Sequence, residues 1–194
     1  MKKIFVVLCL VFSITLSSSA EEMKGIIIYK NDTLKVTFDI PINIFSGDIH
    51  YRKVQEKVKF IDSSGKKQVL RPSDAKEIIF DYNGKKIRMV SVFKPNTDIS
   101  QNKKTFLTII IDNYLKLYCY HYYQGGQYGG PSTAYLLQKG DSLLKWPKNI
   151  FFRKDMVEYF SDCKELAEKI ENKEYKDDNI EEIVKFYNSK CVMK

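Results

Sequence analysis

The sequence predicts an α+β protein, in which an antiparallel β-sheet, open or curled into a partial barrel, is followed by a C-terminal α-helical hairpin. Three observations predict it. Residues 33–40 alternate apolar and polar side chains, which is typical of a half-buried strand. Asn83-Gly84 is a dipeptide that tight β-hairpin turns prefer. From residue 155 onward the apolar residues recur at helical spacing instead.

The composition is that of a globular protein. Of the 194 residues, 44% are hydrophobic and 29% are charged, with only 9 glycines and 5 prolines. These values exclude a disordered tail, a collagen-like fibre and a multi-pass membrane protein. These values do not indicate a particular biochemical activity.

The first 20 residues have the pattern of a secretory signal peptide. Lys2 and Lys3 precede a short apolar run over residues 4–16, and small residues then lead to Ala20, after which we expect cleavage. The run is shorter than the ~20 apolar residues that span a bilayer. A structural N-terminal helix is the alternative, which we disfavour.

This signal predicts export to the periplasm or the extracellular space. A lipid anchor is not expected, because Cys9 follows Leu8 where a lipoprotein signal needs a small residue. We expect no transmembrane segment in the mature chain. The predicted organisation is a signal peptide at residues 1–20, an antiparallel β region at 21–148, and a helical segment at 149–194 packed on it in a single domain.

The front of the β region reads as a series of hairpins. Residues 25–30 and 33–40 are predicted strands joined by the turn pair Asn31-Asp32. The next predicted strand, residues 57–62, is closed by a polar turn at 63–65, and residues 71–74 interrupt the pattern.

The turn at Asn83-Gly84 fixes a register. Both central positions of a type I′ turn need a positive φ, which asparagine and glycine tolerate best. The predicted cross-strand partners are then Tyr82 with Lys85, Asp81 with Lys86, Phe80 with Ile87, and Ile78 with Met89.

Four further strands follow. Residues 106–111 are almost wholly apolar, which favours a central strand covered on both faces. Residues 115–123 form the next strand, and a last hairpin is predicted from 134–138 and 142–146 with its turn at Gly140-Asp141.

Three helices are predicted after the sheet. The first covers residues 155–160. Asp162 with Glu165, and Asp178 with Glu181, read as capping boxes that open the second and third helices. The third helix carries its apolar residues at i, i+3, i+4 and i+7, namely Ile180, Ile183, Val184 and Tyr187.

The short connector between the last two helices makes them antiparallel neighbours. Cys163, at the start of one, then lies beside Cys191, just past the end of the other, and we predict a disulfide in this exported protein. Two free thiols are the alternative. Cys119 is left over and is interpreted as a small buried hydrophobic residue.

No motif for a common catalytic or cofactor chemistry is present. The sequence has no HExxH, GxSxG, CxxC or phosphate-binding glycine motif, and we predict no catalytic residue, no metal site and no cofactor. His121 is interpreted as a partly buried, hydrogen-bonded side chain, and His50 is placed in a surface loop.

Tyrosines supply the one candidate binding surface. Tyr118, Tyr120 and Tyr122 share one face of their predicted strand, and Tyr128 follows in a glycine-rich loop. Such a ladder could stack on a sugar or pack against a partner. The alternative, which we favour here, is that the C-terminal helices cover these tyrosines because the helices need a sheet face to bury their apolar residues.

The formal charge of +8 is spread over lysine-rich turns rather than concentrated in one stripe. These are Lys66-Lys67, Lys85-Lys86 and Lys103-Lys104. We interpret them as solvated hairpin tips with weak attraction to anionic surfaces. Export disfavours nucleic-acid binding.

Several segments resemble a family of small exported proteins of unknown function from Bacteroidota. The resemblance is loose in the β region, where it covers residues 25–27, 31–33 and 72–80. The match is closer in Tyr159-Phe160-Ser161-Asp162-Cys163, in residues 169–175, in Phe186-Tyr187-Asn188 and in Cys191. Lys164 departs from the family pattern, where proline is frequent. The resemblance implies export, a β-plus-helix build and the cysteine pair; it implies no catalytic residue.

The function that these patterns favour is that of an exported, non-enzymatic module that binds a protein or glycan of the cell envelope. The alternative is an envelope-polymer hydrolase that uses carboxylates and tyrosines of the sheet face. The identity of the partner and the oligomeric state are not predicted.

Overall fold

A computed structural model describes residues 20–93, 103–126, 129–147 and 149–192. The predicted signal peptide lies outside these residues up to position 19. Nine strands are present: β1 (Ala20–Ile28), β2 (Thr33–Pro41), β3 (Val58–Ile61), β4 (Lys67–Leu70), β5 (Glu77–Tyr82), β6 (Lys85–Phe93), β7 (Lys104–Ile111), β8 (Leu115–Gln124) and β9 (Gly130–Lys139). The α-helices among the described residues are α1 (Tyr51–Glu56), α2 (Phe152–Tyr159), α3 (Lys164–Glu171) and α4 (Ile180–Lys190).

All nine strands belong to one antiparallel sheet with the order β4-β3-β2-β1-β5-β6-β7-β8-β9. The predicted antiparallel α+β class is confirmed, and most of the helix lies after the sheet, as expected. Within the described part of the chain, no helix is long and apolar enough to cross a membrane.

The two front hairpins have the predicted pairing. β1 pairs with β2 around the turn at residues 29–32, with Ile27 opposite Leu34. The register at Asn83-Gly84 is confirmed in each predicted pair, and φ is 50° at Asn83 and 72° at Gly84. The local turn preference was therefore sufficient to fix the register of β5 and β6.

Strand β7 lies inside the sheet and is covered on both faces at its start, as predicted. Phe106 and Leu107 are both fully buried, and they belong to different apolar clusters. The coverage ends before Ile110, which is 38% exposed.

One predicted strand is wrong, and two short elements were not predicted. Residues 142–146 make a single bridge, Leu137 with Lys145, instead of a tenth strand. The short elements α1 and β4 were not predicted, because six and four residues are too few to display a period. His50, expected in a surface loop, lies outside any helix or strand at the N-cap of α1 and is half-buried.

The predicted caps are also wrong. Cys163 is the N-cap residue of α3 and Asn179 that of α4. The Asp162 carboxylate instead accepts hydrogen bonds from Lys139 Nζ at 2.7 Å and from the Tyr187 hydroxyl at 2.6 Å. The carboxylate of Asp162, which the local pattern assigned to a helix N-cap, therefore takes part in a tertiary contact instead.

The apolar core is divided between the two ends of the sheet. One cluster joins β1, β2, β3, β5 and α1, with Phe38, Phe80 and Ile78 fully or almost fully buried at its centre. A second cluster joins β8 and β9 to the three C-terminal helices through Leu115, Leu117 and Leu137.

The predicted disulfide between Cys163 and Cys191 is confirmed. It joins two cysteines 28 positions apart in the sequence, with a Cα–Cα distance of 5.6 Å, and so connects the start of α3 to the end of α4. Of the described cysteines, Cys119 remains free and half-buried.

Candidate binding site

The three tyrosines of β8 that were predicted to share a face divide into a buried member, Tyr118, and two half-buried members. Tyr118 is 2% exposed, packs against Leu107 and Leu136, and donates a hydrogen bond from its hydroxyl to Gln138 Oε1 at 2.8 Å. Burial raises the pKa of Tyr118 to about 12. We therefore leave Tyr118 out of the candidate surface.

Tyr120 and Tyr122 form an aromatic cluster with Trp146. The two tyrosine rings are nearly parallel, with centroids 5.8 Å apart and an interplanar angle of 12°. The Trp146 ring stands edge-on to both, with its centroid 6.0 Å from that of Tyr120 and 5.3 Å from that of Tyr122. Edge-to-face and offset geometries at these distances are favourable for aromatic rings, so each ring helps to hold the others.

The C-terminal helices do not cover this cluster. They pack on the side chains of opposite parity in β8, which include Leu115 and Leu117. The expectation that the helices bury the tyrosines is wrong, because the leucine face already supplies the apolar surface that the helices need. The tyrosine face is instead bordered by Leu144 and Trp146 from the segment after β9.

The aromatic cluster lines a cleft of about 850 Å³. Its walls come from α1, from the segments after β4 and before β7, from the end of β8, and from the segment after β9. Its aromatic residues are Tyr120, Tyr122, Tyr123 and Trp146, and its charged residues are Arg52, Glu56, Arg71, Lys103 and Lys104. Residues from both halves of the chain thus meet in one concave surface.

The charge in the cleft is mostly positive, with four cationic side chains and one carboxylate. The Arg52 guanidinium lies over the ring of Tyr123, 5.5 Å from its centroid, and Tyr123 is 58% exposed. Lys103 and Lys104, expected at a solvated hairpin tip, are exposed and also line this cleft.

One end of α1 is fixed to β8 by a buried amide. The Gln55 side chain, 3% exposed, donates from Nε2 to the His121 carbonyl oxygen and accepts from the His121 backbone N–H, each at 2.8 Å. The Thr105 hydroxyl donates to the Gln55 carbonyl oxygen at 3.0 Å. These bonds set the position of α1, and hence of Arg52, relative to the aromatic cluster.

His121 is half-buried and has partners on both ring nitrogens, as predicted. Its Nε2 lies 3.4 Å from Cys119 Sγ, its Nδ1 lies 3.2 Å from Thr133 Oγ1, and the Tyr51 ring stacks on the imidazole with centroids 4.6 Å apart. The thiol and imidazole are close enough for a nucleophile and base. Burial, however, raises the pKa of Cys119 to about 11 and lowers that of His121, so both groups are neutral near pH 7.

Trp146 also borders a second cleft, of about 760 Å³, on its other side. This second cleft contains Asp177, Asp178 and Ile150, and Ile150 is 88% exposed. The two clefts therefore share an aromatic wall but differ in the sign of their charged residues.

The structure describes three of the four tyrosines predicted for the site. Tyr128 lies outside the described residues. Among those described, no group of three or more His, Cys, Asp or Glu side chains is arranged to hold a metal ion. Comparisons with protein families, with curated proteins and with solved structures found no match for this chain.

Sequence reasoning missed Arg52, Arg71 and Trp146. Arg52 is on a helix too short to predict, and Arg71 lies in a segment that interrupts the strand pattern. Trp146 did carry a signal, since it is the one tryptophan in the sequence, but it was placed at the end of the predicted strand 142–146. An isolated tryptophan outside a regular element is consistent with a surface contact.

Proposed function

We propose that this protein is an exported, non-enzymatic module that binds a glycan of the cell envelope. The observation that carries the proposal is the half-buried cluster of Tyr120, Tyr122 and Trp146 at the wall of an open cleft. A sugar ring has an apolar face of C–H groups and a polar rim of hydroxyls. Aromatic rings beside charged and amide side chains suit both parts of such a ligand.

The lining favours a glycan over a folded protein partner. Protein interfaces centre on fully desolvated apolar or aromatic anchors surrounded by a polar rim. Here the charged side chains of Arg52, Arg71 and Lys104 share the concave surface with the rings. Such a mixed lining suits a hydroxyl-rich ligand better than an apolar protein patch.

Binding is also favoured over hydrolysis. Glycoside hydrolases generally position two carboxyl groups across the scissile bond, ~5–10 Å apart. Glu56 is the one carboxylate among the described residues of this cleft. A ligand held there would find cations and rings but lack the second acid.

Export and the finer fold are part of the same proposal. We propose that residues 1–20 are a signal peptide and that the chain is a member of the exported family it resembles; the disulfide supports an oxidising compartment. We further propose that α3 and α4 form a helical hairpin and that the sheet curls towards a partial barrel. The contacts of α1 with β2 and β3 as well as with β7 and β8 support the curl.

The test uses the tagged mature chain, residues 21–194, incubated with solubilised cell envelope. We expect it to retain carbohydrate, identified after release by sugar analysis. Replacing both Tyr120 and Tyr122 by alanine should weaken retention about fivefold to 150-fold, since the two aromatic contacts together contribute ~1–3 kcal/mol.

Tyr114→Ala is the matched control, because Tyr114 is 49% exposed and does not line the cleft. Retained material that is protein, and that the paired tyrosine change leaves untouched, would refute glycan binding. Release of shortened sugar products would favour the hydrolase.

A further inference from the structure

We propose that the cleft selects anionic glycans, whose carboxylate or sulfate groups bind between Arg52 and Arg71 while the sugar rings lie along Tyr120 and Tyr122. This inference rests on the proposed glycan-binding function and adds the chemical class of the ligand. It is carried by the four cationic side chains that share one concave surface with the aromatic cluster.

Among the described residues, six cationic side chains outside the cleft form ion pairs with acids. Arg88 binds Glu77 and Asp112, and further pairs join Lys116 to Asp141, Lys139 to Asp162, Lys145 to Asp155, Lys169 to Glu174 and Lys185 to Glu181. Arg52, Arg71, Lys103 and Lys104 form no ion pair with any residue that the structure describes. The cleft therefore concentrates cations that an anionic ligand can pair with.

The four cations come from three separate segments that converge. Arg52 lies on α1, Arg71 follows β4, and Lys103 and Lys104 lie at the start of β7. Cations on different walls of one concave surface raise the local positive potential, because the low-dielectric walls focus the field. Charge on a single flexible tip would not have this effect.

Hydrogen bonds hold the backbone at Arg71, and an aromatic ring contacts the guanidinium of Arg52. The Arg71 backbone N–H donates to Asp74 Oδ2 at 3.0 Å, and the carbonyl oxygen of Pro72 accepts a hydrogen bond from the Ser91 hydroxyl. The guanidinium of Arg52 lies over Tyr123 at 5.5 Å from the ring centroid. A guanidinium has a planar set of donors that matches a carboxylate or sulfate in two parallel hydrogen bonds.

A sugar acid would contact both the cationic side chains and the aromatic rings of the cleft. Its anionic group would pair with the arginines, and its C–H face would contact the aromatic cluster, whereas a polyphosphate would use the charge alone. Nucleic acid shares both features; the confirmed disulfide favours an exported setting, in which acidic glycans are the more accessible ligand.

The experiment uses the intrinsic fluorescence of Trp146, which is the one tryptophan of the sequence and lines the cleft. The mature chain is titrated with polygalacturonate, which carries a carboxylate on each sugar, and with its methyl ester, which has the same backbone without charge. Dextran sulfate and dextran make a second matched pair. We expect each charged polymer to bind at least about tenfold more tightly than its neutral partner, with an affinity that falls as salt rises.

Variants then assign the selectivity to the arginines. Arg52→Gln with Arg71→Gln should reduce the ratio of the charged-polymer affinity to the neutral-polymer affinity about fivefold or more. Lys85→Gln with Lys86→Gln removes the same charge from the tip of the β5–β6 hairpin, away from the cleft, and should keep the preference.

The outcomes separate the two proposals. Equal binding of charged and neutral polymers, weakened by Tyr120→Ala with Tyr122→Ala, would uphold glycan binding and overturn anion selection. Equal loss in the arginine and lysine variants, or binding of inorganic polyphosphate, single-stranded DNA or anionic phospholipid vesicles as tight as that of polygalacturonate, would also overturn selection of acidic glycans. No binding of any polysaccharide would refute both.

Discussion

At the scale of single residues, Gln55 is the side chain on which the candidate site most depends. It satisfies both backbone groups of His121 and lies on the same helix as Arg52. Buried polar groups that lose a partner cost more than the net value of a hydrogen bond, because the remaining group stays dehydrated. Gln55 therefore connects stability and site geometry.

We predict that Gln55→Leu lowers the free energy of unfolding by about 2–4 kcal/mol, because it leaves the N–H and carbonyl oxygen of His121 without the amide. Urea unfolding followed by circular dichroism measures this change. Gln68→Leu is the control, since Gln68 is exposed and bonds only to Asp62; its effect should stay within about 0.5 kcal/mol. A similar small loss in both variants would contradict the structural role of Gln55.

A second residue cluster at this scale fixes β9 to the helices. Lys139 Nζ bonds to the Tyr159 carbonyl oxygen at 2.6 Å and to Asp162 at 2.7 Å, and lies 4.7 Å from the centroid of the Tyr187 ring. Although burial opposes the charge of Asp162, its hydrogen bonds from Lys139 and Tyr187 lower its pKa. A lysine stem among rings with its ammonium on a carboxylate is a stable partly buried pair.

At the scale of elements, the C-terminal helices depend on both the leucine face of β8 and one covalent bond. α3 and α4 contribute Leu166, Ile170, Ile183 and Val184 to the core, all fully or almost fully buried. The disulfide closes the chain around these two helices. It acts mainly by restricting the unfolded chain.

We predict that Cys163→Ser with Cys191→Ser lowers the free energy of unfolding by about 3–4 kcal/mol, the chain-entropy value for a loop of this length. Cys119→Ser, which removes a half-buried free thiol, should cost about 1 kcal/mol or less. Chemical denaturation of the three proteins gives the comparison. Mass spectrometry of the exported protein without reductant must show the bridged mass; two free thiols at Cys163 and Cys191 would contradict the pairing.

The elements that the sequence predicted are those whose signals are local. The Asn83-Gly84 turn sets its own register, and the alternation of residues 33–40 specifies β2. Asp162 shows the opposite case, because its best partners, Lys139 and Tyr187, are distant in the sequence and displace the expected cap. The sequence showed which residues of β8 share a face. Which of the two faces the helices cover depends on tertiary packing.

The candidate site was only partly predictable for the same reason. Tyr120 and Tyr122 were identified from their shared face on one strand. Arg52, Arg71 and Trp146 reach the cleft only because α1, the end of β4 and the segment after β9 converge there. The residue spacing within a single segment does not indicate which distant segments lie beside it in the folded protein.

At the scale of the whole molecule, one continuous sheet connects two apolar clusters. The first cluster includes α1, and α1 is bonded through Gln55 to β8, the strand on which the helices pack. Neither end of the sheet is therefore isolated from the other. Single domains with such shared elements generally unfold in one cooperative step.

We predict a single unfolding transition for the oxidised mature chain. Fluorescence of Trp146, which reports on the cleft, should give the same midpoint as far-ultraviolet circular dichroism, which reports on the sheet and helices. The calorimetric enthalpy should equal the van't Hoff enthalpy. Two separate transitions, or a cleft signal lost well before the secondary structure, would show that the helical end and the front of the sheet unfold independently.

The two faces of β8 have a consequence for how such a protein can change over generations. One parity of this strand forms the core under the helices and the other carries the tyrosines of the cleft. Because side chains alternate, the insertion or deletion of one residue within β8 would exchange the two faces and bury the site while exposing the leucines. The candidate binding surface can thus diversify by substitution at positions such as Tyr120 and Tyr122, whereas the core on the other face constrains the length of the strand.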